Sequence, residues 1–224
     1  MVSLLQNCKL TYFAIAGRGE ATRLALKIGG IEFVDERIAF ADWPNLKNCT
    51  PWGSLPVLTL HDGRQVAQQR AILRLVGKET GLYPVDDNFK AAQIDELMDA
   101  VEDIGSKTNA SGQGLPQKGK EAARLAGCQP GGVTYQVLEK LDKFIATHGQ
   151  NGHAVGDSLT IADLFVYTAA SNLVGGIYDG VPVDAVDGFA SIMACRKMVR
   201  SHPIVKKWYD ELKSPVFPSF GPLD

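Results

Sequence analysis

The chain has 224 residues, of which 45% are hydrophobic and 21% are charged, and its formal net charge is −2. This composition is typical of a globular protein with a sizeable core, and it gives no electrostatic footprint for a nucleic acid. No apolar run approaches the roughly 20 residues needed to cross a bilayer, and the first residues do not resemble a signal peptide. We therefore expect a cytoplasmic protein that binds neither nucleic acid nor membrane.

The first part of the chain alternates between strand-like and helix-like segments. A strand is predicted at Cys8–Phe13, a helix at 21–28 before paired glycines, and a second strand at 31–38. A short polar and aromatic segment at 40–48 leads to two β-rich runs, which are separated by an Asp-Gly turn typical of hairpins. A further helix is predicted at 69–79.

The resulting order, β-α-β-α-β-β-α, is that of a thioredoxin-like α/β domain, which we assign to residues 1–82. A proline-bearing linker at 83–88 separates it from residues 89–224, where the periodic segments have helical spacing and an all-α helical bundle is expected. Helices are predicted at 89–109, 132–148, 161–173, 189–200 and 204–212. We expect a flexible loop at 111–120 and an extended tail at 214–224.

Cysteine and histidine usage argues against a metal or dithiol centre. The four cysteines form no C-x-x-C pair, and the four histidines are dispersed along the chain. No metal site is therefore expected, and the thiols are expected to be reduced and mostly buried.

The turn after the first strand, GRGEAT, is similar to the phosphate-binding loop of a dinucleotide-binding protein. Its third glycine is missing, and a hairpin stands where such a fold needs further βα units, so a dinucleotide site is not expected. Disulfide chemistry of the thioredoxin type is excluded as well, because the sequence FAIA replaces the redox cysteines. A cis bond before Pro56 would present the backbone of Leu55 to a peptide ligand.

Five segments carry a resemblance to a known family. They are, in chain order, KLTYFAIAGRGEATRLAL, FADWPNLKNCTPWGSLPVL, QQRAILRLVGKETGLY, IDELMDAVED and LTIADLFVY. With these segments in order over nearly the whole chain, the sequence resembles the cytosolic glutathione S-transferases. Within them it is similar to the sigma-like group, which includes glutathione-dependent prostaglandin D synthases and the lens S-crystallins. The resemblance implies that glutathione is the co-substrate.

The resemblance implies that Tyr12 and Arg18 are catalytic and that both contact glutathione. A thiol of this kind has a pKa of about 8.5, so a phenol that donates a hydrogen bond to the sulfur makes the nucleophilic thiolate more abundant. Tyr12 occupies the family's position for this phenol, and Arg18 matches an arginine that stabilises the charge of the ligand. The residues alone also allow a packing tyrosine and a solvated surface arginine.

The resemblance also implies which residues hold the rest of glutathione. Trp43 and Lys47, four positions apart, would donate to the glycine carboxylate. The cysteinyl part would lie against Ser54, Leu55 and Pro56, with the backbone N–H and C=O of Leu55 making the contacts. Packing and solvation are the alternatives for Trp43 and Lys47.

Gln68 and Gln69 open a predicted helix whose free N–H groups favour an anion, and they would bind the γ-glutamyl carboxylate. The family usually has Gln-Ser here, so the longer Gln69 side chain predicts weaker binding of glutathione. Asp103 matches an aspartate that reaches the γ-glutamyl amine from the neighbouring subunit, although a surface acid is an equal alternative. A two-fold homodimer is therefore expected.

Four residues would border the pocket of the second substrate by position: Phe13, Ile104, Thr108 and Phe165. They predict an apolar cleft for a hydrophobic electrophile, and core packing is an equally good interpretation. Thr160 and Asp163 form a T-x-x-D capping box before an apolar helix, and we assign both a structural role.

Three functions remain open. The first is a glutathione transferase whose thiolate attacks apolar electrophiles. The second is a glutathione-dependent isomerase of the prostaglandin D synthase type, in which the same thiolate opens an endoperoxide and departs. The third is a non-catalytic relative, crystallin-like or ligand-carrying. It is disfavoured because a structural protein has no need for the whole set of Tyr12, Arg18, Trp43, Lys47 and Gln68.

Overall fold

The first domain is built on a mixed sheet of four strands. The computed structural model describes residues 4–212 and 218–220 of the chain. The strands are β1 (Cys8–Phe13), β2 (Phe33–Ile38), β3 (Val57–Thr59) and β4 (Gln65–Ala67). They lie in the order β2-β1-β3-β4, with β1 parallel to β2 and antiparallel to β3, and β3 and β4 form an antiparallel hairpin. The predicted α/β domain is confirmed, and the Leu55-Pro56 bond is cis.

Three helices complete the first domain: α1 (Glu20–Ile28), α2 (Trp43–Leu46) and α3 (Gln69–Thr80). In β1 the side chains of Cys8, Leu10 and Tyr12 are buried and their neighbours are not, which is the alternation of a strand with one face on the core. α1 packs against α3, and α3 ends at Gly81, whose φ of 75° is the left-handed conformation that ends many helices.

Six helices form the second domain. They are α4 (Asn88–Ala110), α5 (Gln117–Gly127), α6 (Val133–His148), α7 (Ile161–Val174), α8 (Ala190–Ser201) and α9 (Pro203–Leu212). α7 is apolar on all faces and is buried along almost its whole length, against α4 and α8 and against α1 of the first domain. The predicted all-helical domain is confirmed, since no strand occurs between residues 88 and 212, a range that the structure describes throughout.

The predicted flexible loop at 111–120 is wrong in its second half, because α5 already begins at Gln117. Side chains of α5 bind the turn after α7. Gln117 Nε2 donates a hydrogen bond to Asp179 Oδ2 at 3.0 Å, and Arg124 Nη1 donates one to the Asp179 carbonyl at 3.3 Å. Tertiary contacts therefore stabilise a helix whose polar sequence contains Gly119 and gives little signal of its own.

Part of the predicted extended tail is folded. Residues Pro218–Phe220 form a single 3-10 turn, and the side chain of Phe220 is buried. The Phe220 carbonyl accepts a hydrogen bond from Tyr167 Oη at 3.3 Å, and its ring lies 5.3 Å from that of Tyr209. Burial of the aromatic ring explains the correction. The other residues of the predicted tail lie outside the described residues.

α7 begins with a capping box. The Thr160 side chain accepts the backbone N–H of Asp163, and Asp163 Oδ2 accepts the backbone N–H of Thr160 at 2.6 Å. Asp163 is fully buried, and its Oδ1 accepts the Ala154 N–H at 2.6 Å. These are the contacts that the T-x-x-D pattern predicts, and they satisfy backbone donors at the start of the most buried helix.

Candidate active site

Tyr12 lies at the end of β1, beneath the loop that connects β1 to α1. It is only 6% exposed, and its hydroxyl oxygen accepts a hydrogen bond from the Arg18 backbone N–H at 2.9 Å. Two glycines allow this close approach, since a Cβ atom at Gly17 would lie 2.7 Å from the tyrosine Oη and one at Gly19 would lie 2.8 Å from its Cδ1. The glycines of the GRG turn therefore make room for the tyrosine ring.

The Tyr12 phenol is protonated and can therefore donate a hydrogen bond. Burial raises the pKa of its hydroxyl, although the hydrogen bond from Arg18 N–H and the charges of Arg18 and Arg23 act in the opposite direction. The phenol therefore keeps its proton at neutral pH. Because its oxygen already accepts a hydrogen bond from the protein, its O–H is the part left for a ligand.

A cleft of about 260 Å³ opens beside Tyr12, between the two domains. The β1–α1 loop and Gln69 form one wall, and α4, α7 and the turn after α7 form the other. The Arg18 guanidinium pairs across the cleft with the Glu102 carboxylate of α4. The first domain thus contributes the phenol and the cation, while the helical domain supplies most of the apolar surface.

Two of the four residues predicted for the second-substrate pocket line this cleft, namely Ile104 of α4 and Phe165 of α7. Phe13 follows the tyrosine in a strand, so its side chain points to the other face of the sheet and stacks on Phe40, with ring centroids 4.5 Å apart. Thr108 is fully buried and donates a hydrogen bond to the Ile104 carbonyl at 2.6 Å. Phe13 and Thr108 therefore lie outside the cleft.

Five polar residues of the cleft escape prediction: Glu102, Asn109, Thr168, Asn172 and Tyr178. Helical spacing could have found Asn172, because it lies seven positions after Phe165 on α7. Its Nδ2 donates a hydrogen bond to the Gly17 carbonyl at 3.2 Å, which ties the two walls together. Tyr178 lies in the turn after α7, where no periodic pattern applies, and burial raises the pKa of its hydroxyl. It is therefore a second protonated phenol at the cleft.

Most residues predicted to bind glutathione come from the segments between β2 and α3. Trp43 opens α2 and is half-buried, while Lys47 directly follows α2 and is exposed. The Lys47 stem passes over the backbone of Gly53, where an added Cβ would lie 3.5 Å from its Cε. Ser54, Leu55 and Pro56 lead into β3. These segments surround the entrance to β3 next to β1, the strand that carries the phenol.

Gln68 and Gln69 stand at the beginning of α3. Gln68 has a φ of 72°, a region that residues other than glycine rarely adopt, and its side chain does not cap the helix. Gln69 is the first helical residue and lines the cleft. The first N–H groups of α3 therefore lie beside the cleft, in a strained backbone segment of the kind found at binding sites.

Asp103 does not line the cleft of its own chain. It is exposed on α4 beside Glu102, and adjacent helical positions point about 100° apart. Asp103 instead borders a second groove, of about 430 Å³, between α4 and α6. Apolar side chains such as Val137 and Phe144 line that groove, with lysines at its edge.

The described residues hold no group of three or more His, Cys, Asp or Glu side chains that could bind a metal ion. The four cysteines are free thiols, and three of them are buried: Cys8, Cys128 and Cys195. Within the same part of the chain, no helix has the length and apolar character needed to cross a membrane.

Comparison with known proteins identifies the family. The family model "Glutathione S-transferase, N-terminal domain" matches residues 8–78, and "Glutathione S-transferase, C-terminal domain" matches residues 117–211. Glutathione S-transferase 1 of Ascaris suum is 32% identical over 209 residues, which cover 91% of this chain and 95% of the relative. The chain therefore belongs to the glutathione S-transferase family.

Solved structures have the same fold. Prostaglandin synthase D of Nilaparvata lugens superposes with a TM-score of 0.80 at 28% identity, over 93% of this chain and 100% of the other. The monomeric glutathione S-transferase Na-GST-3 of the hookworm Necator americanus gives a TM-score of 0.76 at 30% identity, over 93% and 98%. The first similarity agrees with the resemblance to the sigma-like group.

Proposed function

We propose that this protein transfers glutathione to hydrophobic electrophiles and that Tyr12 activates the thiol. The observation that carries the proposal is the state of the Tyr12 hydroxyl. Its oxygen is held by the Arg18 N–H, and its own O–H donates to no group among the described residues, at a cleft large enough for a ligand. A buried phenol with a raised pKa is a donor at neutral pH, and a thiolate is a strong acceptor.

The reaction follows from this donor. The bound thiol releases its proton to solvent, and the Tyr12 O–H stabilises the thiolate that remains. The sulfur forms a bond to an electrophilic carbon, and either a leaving group departs with the electron pair or a double bond accepts the pair and then a proton from solvent. Arg18 stabilises negative charge at the edge of the cleft, and apolar surface around Ile104 and Phe165 holds the electrophile.

We assign the tripeptide to the segments between β2 and α3. Trp43 Nε1–H and the Lys47 ammonium would bind the glycine carboxylate. The γ-glutamyl carboxylate would lie at the start of α3, at Gln68 and Gln69. Support comes from the uncapped N–H groups there and from the left-handed backbone of Gln68, which turns the chain into the helix.

The Gln69→Ser variant is expected to bind glutathione about fivefold more tightly, as one further hydrogen bond is worth about 1 kcal/mol. A serine hydroxyl at the first helical position reaches a carboxylate directly, whereas the longer amide must fold back to leave the helix N–H groups open. Isothermal titration of glutathione measures the change. Ala71→Ser, on the exposed face of α3, is the matched control. An unchanged or larger Kd for Gln69→Ser would contradict the assignment.

We infer that the protein forms a two-fold homodimer in which Asp103 completes the site of the partner subunit. Asp103 cannot serve its own cleft, and it borders the apolar groove between α4 and α6. Trp52 is 73% exposed, three residues before Leu55, and offers a large apolar side chain for such a groove. A two-fold axis that seats Trp52 in the groove of the other copy would unite the glutathione segment of one subunit with Asp103 of the next.

Replacing Trp52 with alanine is expected to raise the dimer Kd by about 30-fold or more, the effect of losing roughly 2 kcal/mol at a central aromatic contact. Sedimentation velocity over a range of protein concentrations measures the shift towards monomer. Val183→Ala, which truncates an exposed apolar side chain outside the groove, should leave the equilibrium unchanged. A wild-type protein that sediments as a monomer at micromolar concentration would overturn both the dimer and the role of Asp103.

An isomerase of the prostaglandin D synthase type is the second candidate, favoured by the similarity to the Nilaparvata lugens prostaglandin synthase D. In that reaction the thiolate attacks one oxygen of an endoperoxide, the O–O bond breaks, and the other oxygen departs as an alkoxide that takes a proton and becomes a hydroxyl. Loss of a carbon-bound proton then forms a carbonyl and expels the thiolate, so glutathione is regenerated. Assaying endoperoxide and aryl halide in parallel separates the two activities.

Retention on immobilised glutathione, followed by a conjugation assay with a generic aryl halide, tests the proposed function. We expect both retention and turnover. Retention with no turnover of either substrate would favour a non-catalytic ligand carrier, and failure to bind would contradict both enzymatic functions. We also infer a cytoplasmic location, which is supported by four unpaired thiols in the chain.

A further inference from the structure

A buried arginine holds the loop that carries Tyr12 and Arg18. Arg23 of α1 is fully buried, and its guanidinium donates hydrogen bonds to the carbonyls of Phe13 at 3.3 Å and Ile15 at 2.8 Å. These carbonyls lie one and three residues after Tyr12 in the chain, so Arg23 fixes the path of the loop towards the Arg18 N–H that binds the phenol. The guanidinium carbon also lies 5.7 Å from the centroid of the Tyr12 ring.

Two carboxylates neutralise Arg23. Glu20 Oε2 accepts a hydrogen bond from Arg23 Nη1 at 2.9 Å, and Asp35 Oδ1 accepts one from Arg23 Nε at 2.9 Å. Both Glu20 and Arg23 have fully buried side chains. A buried ion pair keeps its geometry only when its remaining hydrogen-bonding positions are filled. The second oxygen of Glu20 therefore needs donors of its own.

Helix α9 supplies those donors from the far end of the chain. Trp208 Nε1 and Tyr209 Oη each donate a hydrogen bond to Glu20 Oε1 at 3.0 Å. The Lys27 ammonium lies 5.2 Å from the centroid of the Trp208 ring and helps to hold it. No residue of α9, which the structure describes completely, lines the cleft. Trp208 and Tyr209 can therefore affect the site only indirectly, through Glu20 and Arg23.

We propose that α9 positions the thiol-activating loop. Trp208 and Tyr209 orient Glu20, Glu20 orients Arg23, and Arg23 sets the loop so that the Arg18 N–H meets the Tyr12 hydroxyl. Trp208, Tyr209 and Glu20 are positioning residues, since they touch neither the cleft nor a ligand in it. The catalytic meaning of this inference rests on the proposed function, in which Tyr12 activates glutathione.

The test removes the two donors and keeps the aromatic rings, in a Trp208→Phe, Tyr209→Phe double variant. We expect the pKa of the bound glutathione thiol, followed by the ultraviolet absorbance of the thiolate during a pH titration, to rise by about one unit. At a pH below the thiol pKa of both the wild type and the double variant, the thiolate fraction in the variant is then roughly a tenth of that in the wild type. At a pH well below both thiol pKa values, where the bound thiol is protonated in both proteins, the Kd for glutathione should stay the same, because the tripeptide contacts are untouched. Lys207→Ala, on the exposed face of α9, is the control and should change neither quantity.

Hydrogen exchange of the Arg18 amide gives a readout that needs no ligand. Its hydrogen bond to Tyr12 should open more often in the double variant, with exchange about tenfold faster than in the wild type. A lower melting temperature with unchanged Arg18 exchange and unchanged thiol pKa would overturn the proposal and leave α9 a purely structural role. If the wild type binds no glutathione, the proposed function fails, while the exchange result still decides the positioning role.

A double variant that does not fold is replaced by Tyr209→Phe alone, which removes a single hydroxyl. We expect the thiolate fraction of bound glutathione to fall about threefold and the exchange of the Arg18 amide to become about threefold faster. Unchanged readouts in the single variant would overturn the proposal in the same way.

Discussion

The Tyr12→Phe variant is expected to lower kcat/KM for aryl halide conjugation about 100-fold at neutral pH, the usual effect of removing one preorganised donor from a buried site. The Kd for glutathione should change little, since the phenol meets only the sulfur. Steady-state kinetics with both substrates varied, together with a glutathione titration, measure the two effects. Tyr135→Phe, which makes the same chemical change on α6 away from the cleft, is the matched control.

The loss in Tyr12→Phe should depend on pH in a defined direction. A donor to the thiolate lowers the pKa of the bound thiol below about 8.5, the ordinary value, and its removal returns the pKa towards that value. The ratio of wild-type to variant activity is therefore largest at or below the thiol pKa in the wild type, falls as the pH rises towards the pKa in the variant, and levels off above it. A ratio that stays constant across this range would contradict the proposed role of the hydroxyl.

The Arg23→Met variant is expected to lose about 3–5 kcal/mol of unfolding free energy, because it leaves Glu20 buried without its cation. It also removes the donors to the loop carbonyls of Phe13 and Ile15. Urea unfolding, monitored by circular dichroism, measures the change. Arg23→Lys should recover part of the loss, since an ammonium restores the charge and lacks the planar fork.

The control for Arg23→Met is Arg64→Met in the hairpin turn, where the exposed Arg64 pairs with Asp62. Its unfolding midpoint should remain close to that of the wild type, because solvent screens exposed ion pairs. Equal losses in the two variants would contradict the view that burial makes the Arg23 contacts important.

Much of the fold follows from local patterns. β1 alternates buried and half-buried residues along its whole length, and α7 is a predominantly apolar helix with its own capping box, so both are predicted nearly to the residue. α5 is not, because Gly119 and a polar sequence weaken its intrinsic propensity and its stability comes from contacts with Asp179. The turn at Pro218–Phe220 likewise depends on an aromatic cluster formed by distant residues.

The candidate site was predictable where a motif or a periodicity marks it. Tyr12 ends a recognisable strand and Arg18 lies in the GRG turn that follows, and the helical period leads from Phe165 to Asn172. Tyr178 gives no such signal, because it enters the cleft from an irregular turn. Arg23 is hidden for a different reason: a charged side chain on a helix is normally solvated, and only the coordinates show it fully buried against loop carbonyls and two carboxylates.

The unequal sharing of the cleft has a consequence for the diversification of this protein. The groups that we propose to act on the glutathione sulfur come from the end of β1 and from the β1–α1 loop, where Gly17 and Gly19 leave no space for new side chains. The apolar wall comes from α4, from α7 with side chains such as Ala169, and from Ile177 in the turn after α7. Selection or engineering could therefore retarget the enzyme to new electrophiles through the helical wall, while leaving its nucleophile intact.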